Sequence, residues 1–357
     1  MRVRLADIAT RARVSEATVS RVLNNKPGVS EANRKAILKT MEMLGYERPE
    51  RMRTRNTGLV GLIVPELTNP IFPLIAQVIE TELADKGFTS VLCTQTPGGV
   101  HEDEYVRMLL ERNVSGIVFV SGLHANTDTD PGRYVDLRRR GMPIVLVNGF
   151  LPDVDAPFLS TDDAAGVGLA VAHLAGLGHR MIGLATGPER YVPVQRKLAG
   201  FKAAYRVHVD PGVDPGVLDA LTEFTVFSVD GGEEATLALV DRGATAVICG
   251  SDVMAFGAIR AGRRLGLQLP ADLSIIGSDG VPLGEFSEPA LTTIRSPAEE
   301  IAAAAARALL DEMAGHPATR AEYMFRSQLV VRGSTAPPGD RARVSRPPRA
   351  PGPTPWP

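Results

Sequence analysis

The sequence predicts an α/β fold: an N-terminal three-helix helix-turn-helix headpiece followed by two doubly wound parallel-sheet subdomains. Three observations predict it. Up to residue 46 the apolar side chains recur at helical spacing, and from Gly58 onward short β-branched-rich runs alternate with amphipathic helices. Those runs are near-continuously apolar, as in parallel strands covered on both faces, and there are enough units for two sheets. A chain of 357 residues, 44% apolar, has the length for two or three domains.

In the headpiece, Leu5, Ile8, Ala9 and Ala12 recur at helical spacing, as do Ile37, Met41 and Leu44, so three short helices are expected. The middle one lies within residues 14–25. Ala17, Val19, Val22 and Leu23 supply its packed side, Ser15 is its N-cap, and Glu16, Thr18, Ser20 and Arg21 form the other face. Two helices joined by a tight turn, the second polar near its N-terminus, fit the DNA major groove. Ser and Thr hydroxyls suit phosphates, and the Arg21 donor fork matches guanine O6 and N7. By pattern alone, a small apolar helix triplet equally fits ordinary core packing.

The residues say more than the pattern. With Leu5-Ala6-Asp7-Ile8-Ala9 ahead and Val29-Ser30 behind, the stretch Val14-Ser15-Glu16-Ala17-Thr18-Val19-Ser20-Arg21-Val22-Leu23-Asn24-Asn25 resembles the DNA-binding headpiece of the lactose-repressor (LacI) family almost letter for letter. The resemblance implies that Glu16, Ala17 and Arg21 face bases, that Thr18 and Ser20 lie nearer the backbone, and that DNA contacts extend from Ser15 to Asn24. Arg13 departs from the family, which usually has the turn glycine there; a side chain at positive φ is strained.

Ser30 is read as the cap of a third helix ending at Gly45. The domains are then a DNA-binding headpiece at 1–46, a charged hinge linker at 47–57 containing Pro49, a core at 58–335 and a tail at 336–357. The resemblance implies that the linker folds on DNA and wedges an apolar side chain into the minor groove, for which Met52 is the candidate. The linker is about three residues shorter than the family pattern. Residues 1–56 hold 13 Lys and Arg against 6 Asp and Glu, a balance of +7 that leaves −9 for the rest of a chain totalling −2. A basic module on an acidic body suits phosphate contact at one end.

In the core, strands are expected at 59–64, 90–94, 117–120, 144–147, 182–185, 225–227, 246–249 and 274–276. Helices are expected at 71–86, 102–112, 164–177, 194–205, 233–241 and 254–265. This whole stretch resembles the periplasmic-binding-protein-like core of the same family, in which the chain crosses between subdomains. The first is expected to hold mainly 58–160 and 291–318, the second mainly 161–290 and 319–335.

Ligands of open α/β sheets bind beyond the strand carboxyl ends, which here means between the two subdomains. Asp279, in Gly277-Ser278-Asp279-Gly280 after an apolar strand, sits at such an end. A carboxylate there accepts hydroxyl hydrogen bonds, as sugar sites require, and the resemblance implies that it binds the effector; a plain turn is the alternative. The resemblance also places an effector-binding Arg where this chain has Lys197, beside Arg196, and an ammonium lacks the bidentate fork. Ser251-Asp252 stands where the family has Asn-Asp, so Ser251 offers a hydroxyl instead of an amide. Asn69 before Pro70 is an expected helix cap; the resemblance turns it to the effector, with Phe72 stacking on the ligand's apolar face. Arg190, before the Lys197 helix, completes the set.

Catalytic signatures are missing: Gly166-Val167-Gly168 lacks a third spaced Gly, and no phosphate loop or Gly-x-Ser-x-Gly elbow occurs. No enzyme activity, cofactor or metal is expected. His101-Glu102-Asp103-Glu104 reads as acids favoured at a helix start, His173 and His179 lack paired ligand motifs, and Cys93 and Cys249 read as buried strand residues. No run approaches the roughly 20 apolar residues of a membrane span, and the start lacks a signal-peptide run, so the expected location is the cytoplasm. The Pro/Arg-rich tail is expected to be disordered and lacks the leucine heptads of a tetramerisation helix. The expectation is a homodimeric transcriptional regulator, a repressor, that binds a double-stranded pseudo-palindromic operator and responds to a small ligand, a sugar. The alternative is a corepressor-dependent regulator that takes a nucleobase or phosphorylated metabolite.

Overall fold

The computed structural model describes residues 3–23, 26–46, 57–95, 99–316 and 320–339. Asn24, Met52, all of the linker except Thr57, and the tail beyond 339 lie outside the described residues. The chain divides into two units, residues 1–55 and 56–357.

The first unit is three helices, α1 (Leu5–Ala12), α2 (Glu16–Leu23) and α3 (Glu31–Leu44). Ile8 and Ala9 of α1, Val19 and Val22 of α2 and Ile37 of α3 form its core. Ser30 caps α3 by accepting the Asn33 amide at 3.3 Å, and Gly45 ends it at φ 63°. Ala17 is exposed, not packed as the spacing suggested, because Val19 and Val22, with Leu23 partly buried, bring α2 against its neighbours.

The second unit begins with β1 (Gly58–Val64), α4 (Ile71–Asp85), β2 (Phe88–Thr94), α5 (Glu102–Glu111), β3 (Gly116–Val120), α6 (Gly132–Arg139), β4 (Ile144–Val147) and β5 (Phe158–Thr161). It continues with α7 (Asp163–Gly176), β6 (Ile182–Thr186), α8 (Val192–His208), α9 (Pro215–Ala220), β7 (Thr222–Phe224) and α10 (Val229–Asp241). Next come β8 (Ala246–Cys249), α11 (Asp252–Arg264), β9 (Ser274–Asp279), β10 (Thr292–Arg295), α12 (Ala298–Met313), β11 (Glu322–Phe325) and β12 (Gln328–Val330). The strand orders are β11-β5-β4-β3-β1-β2 and β12-β10-β9-β8-β6-β7, the same winding used twice. They differ at one edge, where β11 runs parallel to β5 but β12 antiparallel to β10.

Each sheet buries both faces. Side chains of α4 and α12 cover one face of the first and α5 and α6 the other; α7 and α8 cover one face of the second and α10 and α11 the other. Such double coverage is why these strands read as continuous apolar runs.

Three expectations are corrected. Thr292–Arg295 pairs in parallel with β9, so it belongs to the second subdomain, and the chain crosses back only after Arg295. Glu322–Phe325 pairs with β5 and belongs to the first. The strand expected at 225–227 is displaced to Thr222–Phe224, which pairs with β6. Phe227 is a loop residue that packs on Gly187, where an added Cβ would lie 2.0 Å from the ring. The tail also begins later than the sequence indicates. The Ala336 carbonyl accepts from His179 Nε2 at 2.9 Å and Ser274 Oγ at 3.1 Å, and the Gly339 amide donates to Ala271 at 2.9 Å.

Candidate nucleic-acid interface and ligand cleft

The turn before α2 is built on Arg13 at φ 55°, ψ 44°, the left-handed conformation that glycine takes without strain. Ser15 Oγ then accepts the Thr18 amide at 3.2 Å and shares a 2.8 Å hydrogen bond with Thr18 Oγ1. This cap satisfies an otherwise open helix donor and fixes where α2 starts. With Val19 and Val22 turned inward, Glu16, Ala17 and Arg21 are exposed together, while Thr18 and Ser20 are half-buried. Gly28, at φ 93°, lets the chain pass close to Arg21: a Cβ there would lie 3.0 Å from the guanidinium. Sequence reasoning did not single out Gly28.

In the second unit, the carboxyl ends of both sheets meet. Asn69, buried in the β1–α4 loop, accepts the Ile71 amide on its side-chain oxygen at 3.2 Å, at the start of α4, which begins at Ile71 as expected. Its Nδ2 donates to Asp279 Oδ2 at 3.2 Å, across the subdomain boundary. Asp279 ends β9 at φ 110°, a strained conformation for a non-glycine residue. Burial first, then the charge of Asp252, pushes its carboxyl up to about 8; the Asn69 hydrogen bond and the Lys197 charge pull the other way. Lys197 is paired with Asp163 at the start of α7, both largely buried.

Other expected site residues are placed differently. Ser251 is 1% exposed and caps α11 by accepting the Met254 amide at 3.2 Å. Phe72 is half-buried and packs against the core of the first subdomain. Arg190 is exposed, stacks 5.1 Å from the Tyr191 ring centroid, and lines a groove of about 590 Å³ with Thr127, Asp128, Glu189, Gln195 and Lys202.

Several contributors carried no sequence signal that was used. Arg196 makes a two-pronged contact with Glu322 of the first subdomain, at 2.7 and 2.8 Å. The Arg190 carbonyl accepts from the Thr127 amide at 2.8 Å, and Asn126 bridges to Tyr191. Ser121 and Asn148, at the ends of β3 and β4, both have positive φ and are joined by a 3.1 Å hydrogen bond. Glu102, read as a helix-start acid, is buried and accepts from Tyr134 Oη at 2.5 Å and from Gln95 Nε2 and the Leu123 amide at 3.0 Å each. Beside it His124, pushed down to about 4 by burial, donates from Nε2 to the Val147 carbonyl at 2.9 Å. A polar residue directly after an apolar strand was the signal available for Ser121 and Asn148, and one just beyond a strand end for Asp252. Among the described residues no group of three His, Cys, Asp or Glu could hold a metal, and no helix is long and apolar enough to cross a membrane.

Comparison with known proteins bears on both units. Residues 4–49 match the profile of bacterial regulatory proteins of the lacI family, and residues 171–335 that of the periplasmic binding protein-like domain. The chain is 54% identical over 344 residues to the HTH-type transcriptional regulator MalR of Streptomyces coelicolor, spanning 96% of this chain and 100% of that one. Among solved structures it is similar to a complex of the transcriptional regulator CelR with cellobiose (28% identity, TM-score 0.69, 93% of this chain and 100% of that one). It is also similar to the lac repressor dimer bound to operator and the anti-inducer ONPF (25% identity, TM-score 0.66, 94% and 100%).

Proposed function

The chain belongs to the lacI family of bacterial regulatory proteins, and from that premise we propose that it is a cytoplasmic, homodimeric repressor released from a pseudo-palindromic operator by a sugar. It is a sequence-specific DNA-binding transcriptional regulator and not an enzyme. In this reading Glu16, Ala17 and Arg21 meet base edges, while Ser15, Thr18, Ser20 and Asn24 serve the backbone and Met52 the minor groove. The sugar lies between the subdomains, held by Asp279 and Asn69, with Lys197, Ser251, Phe72 and Arg190 around it.

The observation that carries the reading is the Asn69–Asp279 hydrogen bond. An amide from one subdomain and a carboxyl from the other meet where ligands of open α/β sheets gather, and a sugar hydroxyl can both donate to the carboxyl and accept from the amide. A ligand that bridges these two groups binds the closed arrangement better than the open one. That difference in affinity is what shifts the population of a DNA-binding state. CelR, which carries cellobiose in the same fold, supports the sugar class.

The test is operator binding by the purified protein on selected DNA, across a panel of sugars, sugar phosphates and purines. Release by a sugar is expected. Binding tightened by a purine or phosphorylated compound would replace this reading with the corepressor one, against which the neutralising Lys197–Asp163 pair weighs. Arg21→Ala is expected to weaken the preferred operator by about 1–3 kcal/mol relative to mismatched DNA, and an unchanged footprint would remove α2 from the interface.

A further inference from the structure

We propose that Asp252 is the positioning residue of the cleft, fixing the orientation of Asp279 by gripping the turn that carries it from two sides. The use made of Asp279 rests on the cleft reading above; the grip itself is visible in the fold.

Asp252 opens α11, three residues after the end of β8, and is fully buried. Its Oδ2 accepts the Val281 amide at 2.7 Å, two residues beyond Asp279. Its Oδ1 accepts Thr293 Oγ1 at 2.6 Å, from the strand whose Arg295 is the register partner of Asp279. Gly277, two residues before Asp279, is spaced to admit the same carboxylate: a Cβ there would lie 2.1 Å from Oδ1. One side chain therefore contacts the chain on both sides of Asp279 and the neighbouring strand.

The turn needs such a grip. Asp279 and Gly280 take positive φ in succession, 110° and 79°, and a strained backbone persists only where its surroundings over-determine it. The Ser278 hydroxyl on the Cys249 carbonyl (2.8 Å) adds a further tie, and the Ser296 amide on the Asp279 carbonyl (3.2 Å) another.

The charges around Asp279 come from Asp252 of α11, Lys197 of α8 and Asp163 of α7, with the neutral Asn69 opposite and the exposed Arg295 of β10 its register partner; Arg332 bears on Asp252. Burial pushes Asp252 up to about 6, held back by Thr293 and by the Val281 and Gly280 amides, and its charge in turn raises Asp279. Asp252 thus fixes where the cleft carboxyl points, and its charge adds to burial in raising that carboxyl.

The experiment follows the Asp279 carboxyl carbon by NMR from pH 4 to 10 in full-length protein labelled with [13C]aspartate, as wild type and as Asp252→Asn. The wild-type midpoint is expected near 8, and the variant's lower by at least about one pH unit, because a like charge has gone. An unchanged midpoint in folded variant overturns the proposal. Should Asp252→Asn not fold, Thr293→Val leaves the charge and removes one anchor. Amide exchange at Gly280 and Val281 is then expected to quicken about tenfold while β8 keeps its protection; unchanged exchange overturns the grip. Neither readout contains a ligand, so a failed sugar panel and a failed grip are separate results.

Discussion

The carboxyl ends of the two sheets each hold an acid, Glu102 buried and Asp279 half-buried, and the two are used in opposite ways. Glu102, under the loop after β3, accepts a phenol, an amide side chain and a backbone amide, with Arg133 3.5 Å away. Asp279, at the end of β9, accepts from Asn69 of the facing subdomain. The first carboxylate is saturated by its own subdomain and rigidifies a loop; the second keeps acceptor capacity at a boundary. A carboxyl surrounded by its own donors is structure, and one that must borrow a donor from elsewhere is a place for a ligand.

That contrast can be broken experimentally. Glu102→Ala strands Tyr134, Gln95 and the Leu123 amide, and the expected loss is about 3–5 kcal/mol of stability, read by thermal or denaturant melts. Ligand affinity of the molecules that remain folded should stay as it was. Asp279→Ala should do the reverse, leaving the melt near wild type and operator binding intact while weakening the sugar by about 100-fold, or roughly 3 kcal/mol. If the two variants lose the same property, the distinction is wrong.

The pH dependence sharpens it further. Asp279 is raised above the ordinary carboxylate value of 3.8, so the folded chain holds this proton more tightly than the unfolded one. Its contribution to stability is complete below about pH 4 and is lost as pH rises through about 8. Asp279→Asn should therefore flatten the decline in melting temperature between about pH 6 and 8. The smallest effect concerns strain without ligand chemistry: Arg13→Gly should stabilise the headpiece by roughly 1 kcal/mol, because φ 55° suits glycine. An unchanged headpiece melt would mean that the turn bears no strain.

The sequence made legible what is periodic. Val19 and Val22, the runs from β1 to β4, and Asp279 at the end of its strand all follow from spacing, and the structure puts them where spacing indicates. What escaped has no period. The strands β11 and β12 are short and half-exposed, so their apolar pattern is broken, and only pairing reveals to which sheet each belongs. Glu102 looks in sequence like any acid at a helix start, since its donors come from residues 95, 123 and 134. Arg196 gains its meaning from Glu322, 126 residues away. Asp252 stands beside Ser251, yet its partners at 281 and 293 exist only in the fold. The Ser251 hydroxyl caps α11.

The late strands have a consequence for synthesis. Each sheet receives its final edge strand from residues 322–330, the first sheet at β11 and the second at β12. Until that segment has left the ribosome, β5 and β10 both present unpaired backbone groups, open templates for the wrong neighbour. A nascent chain halted before residue 322 therefore carries two sticky edges at once, and a stretch of nine residues closes both when it arrives.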